Sequence, residues 1–175
     1  MRSRACGFSY LIVLFAVAAI GAGLALAGTA WETASRREKE AELLYIGNAY
    51  RAAIASYYER SPGVKSFPRS LDDLVKDPRF PNTVRHLRKV YRDPITGSDK
   101  WGLVPGIGGG VMGIYSTSEA LPLKQANFDP LNLVFQERTA QLKEKMTYRE
   151  WQFVYPAGAF IDPRLPQTGA STATP

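Results

Sequence analysis

Cysteine and histidine are nearly missing: in 175 residues there is one of each, Cys6 and His86. A single cysteine closes no disulfide within the chain, and neither residue sits in a metal-ligand spacing. No nucleophile stands beside a base, the carboxylates are scattered, and no phosphate loop is present, so the residues offer nothing to an enzyme reading. His86, set among arginines, reads as a surface histidine. There is no internal repeat and no large charge imbalance. The formal +6 is mild and includes Arg2 and Arg4; a chain starting at Phe8 carries +4. That excess favours solubility, and no nucleic-acid partner is expected.

Two further absences organise the chain. From Phe8 to Ala30 there is no charge, and from Trp31 to Glu59 there is no proline and only one glycine, Gly47. At about 1.5 Å rise per residue the uncharged run is long enough to cross a hydrocarbon core of about 30 Å as one helix. Three readings compete for it. As a secretory signal, Arg2 and Arg4 are the basic region and Ala25-Leu26-Ala27 the cleavage site, although the apolar stretch exceeds the usual length. As a plain signal anchor, the same arginines hold the N-terminus in the cytoplasm. The third reading rests on the junction, where the basic leader ends in Gly7 and Phe8 opens the apolar run without a spacer.

Beyond the run, helix formers dominate up to Glu59. Leu43, Ile46 or Gly47, Tyr50, Ile54 and Tyr57 recur on one face of a 3.6-residue period, while Glu38, Glu42, Arg51 and Glu59 take the opposite face. The segment 32–42, mixed in charge, is expected to be exposed or buried only between subunits. Ser61-Pro62-Gly63 ends the helix. A short helix is expected over 67–75 with Ser70 as N-cap and Asp72 and Asp73 in its first turn, and another over 83–91 with Val84, Leu87 and Tyr91 on one side.

Asp93-Pro94-Ile95-Thr96-Gly97 is a turn. Residues 100–104 and 111–116 read as strands of a hairpin around a glycine-rich loop. Gly108, Gly110 and Gly113 fit G-x-G-x-x-G, but the strand-forming residues after them argue against a dinucleotide site, and no cofactor is expected. Asp129-Pro130 marks the start of a helix over 131–145, with Leu131, Val134, Phe135 and Leu142 on one side. Residues 148–155 read as a strand completing the sheet, and the polar tail 163–175 as disordered.

The order Gly7, Phe8, Ser9, Leu11, Leu14, Ala18, Ile20 and Gly21 resembles the class III leader of type IV pilins and type II secretion pseudopilins. Ser70-Leu71-Asp72-Asp73-Leu74, then Asp93-Pro94, then Trp101-Gly102 is similar to the order of features in major-pseudopilin-like proteins. The resemblance covers roughly residues 7–118. It implies an α+β, pilin-like fold, with the outer half of a long N-terminal helix packed on a small antiparallel sheet. Its parts are a leader at 1–7, a transmembrane half-helix at 8–30, a periplasmic half at 31–60, a small globular region at 61–162 and the tail at 163–175.

The resemblance further implies cleavage between Gly7 and Phe8 by a prepilin peptidase, with N-methylation of Phe8. It implies a structural subunit of a type II secretion filament, single-pass in the bacterial inner membrane, with the N-terminus cytoplasmic and the C-terminal domain periplasmic. Its partners are other pseudopilins, an assembly ATPase, an inner-membrane platform and the lipid bilayer. A membrane-anchored periplasmic binding domain that never polymerises, and a minor pilin of a type IV pilus, are the alternatives. Major pseudopilins carry a calcium loop, for which Ser116, Ser118, Glu119, Asn127 and Asp129 are the candidates here, without a compact acidic run. One departure is Ile12, which stands where the family has a glutamate. It implies a minor or specialised subunit, joining filaments built mainly from a glutamate-bearing relative.

Overall fold

The computed structural model describes residues 6–106, 108–141, 146–157 and 159. The expectations for the leader residues 1–5, for residues 142–145 and for the tail 163–175 fall outside them. The first element, α1, runs Cys6–Glu59, a helix of 54 residues that includes Gly7 and Phe8. By compactness the chain divides into two units, Met1–Glu38 and Lys39–Pro175.

Within the first unit every described residue is helical. The large apolar side chains from Tyr10 to Leu24, and Trp31, are exposed. This helix is long and apolar enough to cross a membrane, with a mean hydropathy of 2.5 over its most apolar window. Apolar residues on every side leave it no polar face to turn to water.

In the second unit the apolar stripe is buried as its spacing predicts: Leu43, Ile46, Tyr50, Ile54 and Tyr57 all belong to one core. Burial of each such side chain contributes about 1.5–3 kcal/mol. Opposite them lies a three-stranded antiparallel sheet in the order β1 (Gly102–Pro105), β2 (Val111–Tyr115), β3 (Phe153–Val154). Leu103 pairs with Ile114, which pairs in turn with Phe153. Trp101, Ile114 and Phe153 join the core cluster with the helix, so the outer part of α1 packs on a small antiparallel sheet in an α+β arrangement. Gly47 is what lets the sheet come close. A Cβ on it would lie 2.4 Å from the Phe153 ring.

The remaining elements are short. α2 is Asp72–Val75 and α3 is Leu133–Gln141, the latter preceded by a 3₁₀ turn at Pro130–Asn132. Asp129 is the N-cap with Pro130 behind it, as expected, but its side chain makes no capping bond. α2 begins later than its sequence suggests and Ser70 is not its N-cap; Leu71 holds that place. No side chain caps α2; the Asp73 carboxylate instead reaches back to the turn before it, accepting the backbone N–H groups of Arg69 and Ser70 at 2.9 and 3.3 Å. A charged acceptor reaching back binds those donors more strongly than a hydroxyl can.

The segment 83–91 is not helical. Its backbone is drawn into long-range bonds: the His86 and Leu87 amides both donate to Leu74 O at 2.8 Å, and Val84 O accepts from Asp77. Leu87 is buried and Tyr91 packs on the core, so the apolar spacing is real while the local hydrogen bonds it suggests are not. The strand expected at 148–155 is a 3₁₀ turn at Tyr148–Glu150 followed by the two residues of β3. Residues on both sides of its alternation are buried, because a core covers both faces there.

Candidate functional site

Three polar clusters tie the second unit together, each anchored on α1. The first along α1 is at Glu40, 3% exposed. Its carboxylate accepts the backbone N–H groups of Leu123 and Lys124 and the Tyr148 hydroxyl, the last at 2.7 Å. The mixed-charge segment was expected to be exposed or buried only between subunits; Glu40 departs from this, buried within its own chain. A carboxylate with three donors offsets its desolvation and pins two distant segments to one turn of helix.

The second cluster centres on Arg51, 6% exposed and not on the solvent face its periodicity suggested. Its Nη1 donates to Leu131 O at 2.7 Å, Asn48 Oδ1 at 3.0 Å and Asn132 Oδ1 at 3.1 Å. The guanidinium lies 5.6 Å from the centre of the Phe153 ring. Among the described residues no carboxylate pairs with it, and burial lowers its pKa. Arg51 Nε and Asn132 Nδ2 are buried without partners.

The third cluster closes the end of α1. His86 Nδ1 lies 2.9 Å from Ser56 Oγ and Nε2 lies 3.2 Å from Asp77 Oδ2. Arg79 also binds Asp77, at 2.7 Å, donates to Tyr57 O and Ser61 Oγ, and stacks 3.5 Å from the Tyr57 ring centre. Burial opposes ionisation of Asp77, but the bonds from the Arg79 side chain and backbone and from His86 outweigh it, lowering its pKa to about 2. The Asp77 bond in turn raises the pKa of Arg79.

The row Ser56, His86, Asp77 has the residue types of a hydrolytic triad. Yet the His86 side chain is wholly buried, as is that of Asp77, so a substrate has no path to the imidazole. The expectation of a surface histidine is overturned, and the cluster works as a brace between the helix end and the 77–86 segment.

Other expected features are placed as follows. Asp93, the first residue of the predicted turn, is fully buried and accepts from Ile95 N, Thr96 Oγ1 and Ser116 Oγ. Gly97 has the positive φ such a turn requires, +70°. Tyr50 sits at the helix–sheet seam with its ring 5.6 Å from that of Trp101, whereas Trp151 stacks on Phe135. Burial raises the pKa of Tyr50. The G-x-G-x-x-G glycines belong to a hairpin: a Cβ at Gly110 would strike Phe67, and one at Gly113 would strike Val154.

Of the calcium candidates, Ser116 gives its hydroxyl to Asp93 and Glu119 pairs with Arg149 at 3.3 Å. Ser118 N and Oγ bond within the same loop, Asn127 has a φ of 58° and donates its backbone N–H to Gln136, and Asp129 holds the N-cap position of the 3₁₀ turn without a side-chain capping bond. Among the described residues no group of three or more His, Cys, Asp or Glu is arranged to hold a metal.

Grooves open on this unit among the described residues, two of them beside the clusters above. The larger, about 800 Å³, runs between Tyr57, Phe67, Arg79 and the loop glycines 108–110. Of its three cations, Lys65 and Arg79 are paired, with Glu59 and Asp77, and Arg69 is the third. The smaller, about 390 Å³, is lined by Glu42, Ile46, Tyr91 and the 92–99 turn. Ser56 and His86 line neither. Comparison of the chain with protein-family models, with curated proteins and with solved structures yields no match.

Proposed function

We propose that this chain is a pseudopilin-like structural subunit of a type II secretion, type IV pilus-like filament. The observation that carries the reading is α1 itself: one helix from Cys6 to Glu59 whose described apolar side chains from Tyr10 to Leu24 are exposed, followed by a stripe that forms a core with a small sheet. Exposed apolar surface of that extent needs lipid or other helices around it. A subunit that waits in a bilayer and later packs its helix among others satisfies the need in both states.

On this reading Arg2 and Arg4 keep the N-terminus cytoplasmic, the second unit lies in the periplasm, and a prepilin peptidase cuts between Gly7 and Phe8 and methylates Phe8. Other pseudopilins, the assembly ATPase and the inner-membrane platform are the partners. Ile12, uncharged where the family carries glutamate, favours a minor subunit over the principal one.

N-terminal sequencing of membrane-extracted protein tests the proposal. The expected result is a chain beginning at methylated Phe8, and a longer precursor retained by Gly7→Val. A soluble product beginning near Gly28 would establish the secretory-signal reading instead.

A further inference from the structure

The groove of about 800 Å³ has an aromatic side, formed by Tyr57 from the end of α1 and Phe67 from the segment after it, and a side of loop glycines, 108–110, that bring no side chains into it. Phe67 is only partly buried. It is held in place by the hairpin, since a Cβ on Gly106 or Gly110 would strike its side chain at 2.7 or 2.5 Å. Apolar surface left open in such a groove gains by being covered.

The charges around the groove are met, with one exception. Lys65 is held by Glu59 and Arg79 by Asp77. Asp73 turns its carboxylate to its own turn, accepting the Arg69 and Ser70 amides and the Ser70 hydroxyl at 2.9, 3.3 and 3.3 Å. The Arg69 side chain is exposed and makes no ion pair among the described residues. An occupant that fits this groove therefore brings large apolar side chains and a carboxylate.

The chain reaches the edge of the same groove on its way out of the sheet. After β3 the Tyr155 hydroxyl donates to Glu59 at 2.6 Å, and the Tyr155 ring lies 6.0 Å from that of Tyr58, itself 4.7 Å from Phe67. The backbone then turns, with Ala159 N donating to Pro156 O at 3.2 Å. Ala159 packs on the cluster of Val104, Met112 and Val154, and so does Phe67. The next three residues are Phe160, Ile161 and Asp162. At about 3.3 Å per residue they reach about 10 Å.

We propose that Phe160–Asp162 is a strap that docks in this groove, with Phe160 and Ile161 against Phe67 and Tyr57 and with Asp162 on the Arg69 guanidinium. Docked, the strap ties the chain after β3 to the end of α1 and to the glycine loop, and closes the groove to any other apolar ligand. The contact lies wholly within the second unit and does not depend on the filament reading.

Thiol labelling of the full chain, extracted in detergent and carrying Cys6→Ser, tests the strap. Ser66→Cys places a thiol at an exposed position lining the groove. With the strap intact, a maleimide should label it roughly tenfold more slowly than after Phe160→Ser combined with Ile161→Ser, because labelling runs only through the undocked fraction. Asp162→Arg should give a rate between the two, and adding Arg69→Glu should restore the slow one. In parallel samples the thiol of Ala53→Cys, at a core position, reports on folding: it stays unreactive while the unit is folded. Equal rates at position 66 for the intact chain and the serine pair overturn the proposal. So does slow labelling that persists in the serine pair: if it is lost on dilution a second copy covers the groove, and if not another part of the chain does. Should the serine pair expose the core thiol, the charge variants decide, and Asp162→Arg without acceleration overturns the strap.

Discussion

Two stretches of one helix carry comparable numbers of apolar residues and treat them in opposite ways. From Tyr10 to Leu24 the large side chains are all exposed, whereas Leu43, Ile46, Tyr50, Ile54 and Tyr57 are all buried within the second unit. Arrangement around the axis separates them. Apolar residues on every side require a surrounding medium without water; an apolar stripe requires one partner surface, which the sheet supplies. The same residue types thus report an environment in one stretch and a fold in the other.

The largest test of that contrast puts the same charge in each stretch. Ile54→Asp buries a carboxylate with no partner in the core and should cost several kcal/mol, enough to unfold a version lacking residues 8–30. Thermal melting by circular dichroism checks it; a melt like the parent's would mean that the stripe packs on nothing. Leu14→Asp should leave that domain's melt unchanged in the full chain and weaken membrane retention, by about 3 kcal/mol on insertion scales.

A smaller effect comes from Asp77. Its pKa is depressed to about 2, so ionised Asp77 stabilises the fold at pH values above the ordinary carboxylate range, and this contribution fades as pH falls from about 4 through 2. The difference amounts to about 2 kcal/mol. Asp77→Asn should remove that part of the acid transition, measured as melting temperature against pH, with little change in the exposed run.

Gly47 gives a prediction whose sign opposes helix propensity. Alanine in a helix interior is normally better than glycine by about 1 kcal/mol. Here the new Cβ would meet the Phe153 ring at 2.4 Å, so Gly47→Ala should destabilise the second unit by about 1–3 kcal/mol. Gly21 has nothing within 4 Å of the same atom, and Gly21→Ala should leave the domain's stability as it is. Urea titration of both variants draws the comparison at single-methyl resolution.

Periodicity, turn chemistry and strand alternation made α1, its buried face, the Asp93–Gly97 turn and the β1–β2 hairpin readable in advance. What they missed is polar and non-local. Glu40 finds Tyr148 across 108 positions, and Arg51 finds Asn132 across 81. Helix geometry puts Glu40 and Arg51, eleven residues apart, on one flank of the apolar stripe and Glu42 on the other, but their partners are far away in sequence, so nothing local tells which flank is covered. His86 is hidden for the same reason: its partners Ser56 and Asp77 come from the helix end and the turn after α2. The expected helix at 83–91 failed because Leu74 O offers its amides a partner outside the segment. The proposed cleavage between Gly7 and Phe8 rests on the leader pattern alone, and that both lie in α1 is the structural fact to set beside it.

The smallest expected effect on the fold belongs to Ile12, exposed in the apolar run. In the resembled family a glutamate stands there and is taken to meet the N-terminal amine of a neighbouring subunit, a pairing that matters because an unpaired charge in lipid or in a helix core is costly. A chain cut after Gly7 keeps the Phe8 amine and offers no carboxylate at position 12. It can accept a neighbour's glutamate but cannot return one, which suits a subunit placed among glutamate-bearing relatives. Ile12→Glu should therefore leave the melting of the second unit unchanged and raise the fraction recovered in sheared filaments when the chain is expressed with the assembly machinery. Abundant filaments of the unaltered chain alone would overturn the minor-subunit reading, because copies without the carboxylate would then pair their Phe8 amines with one another's helices at no visible cost.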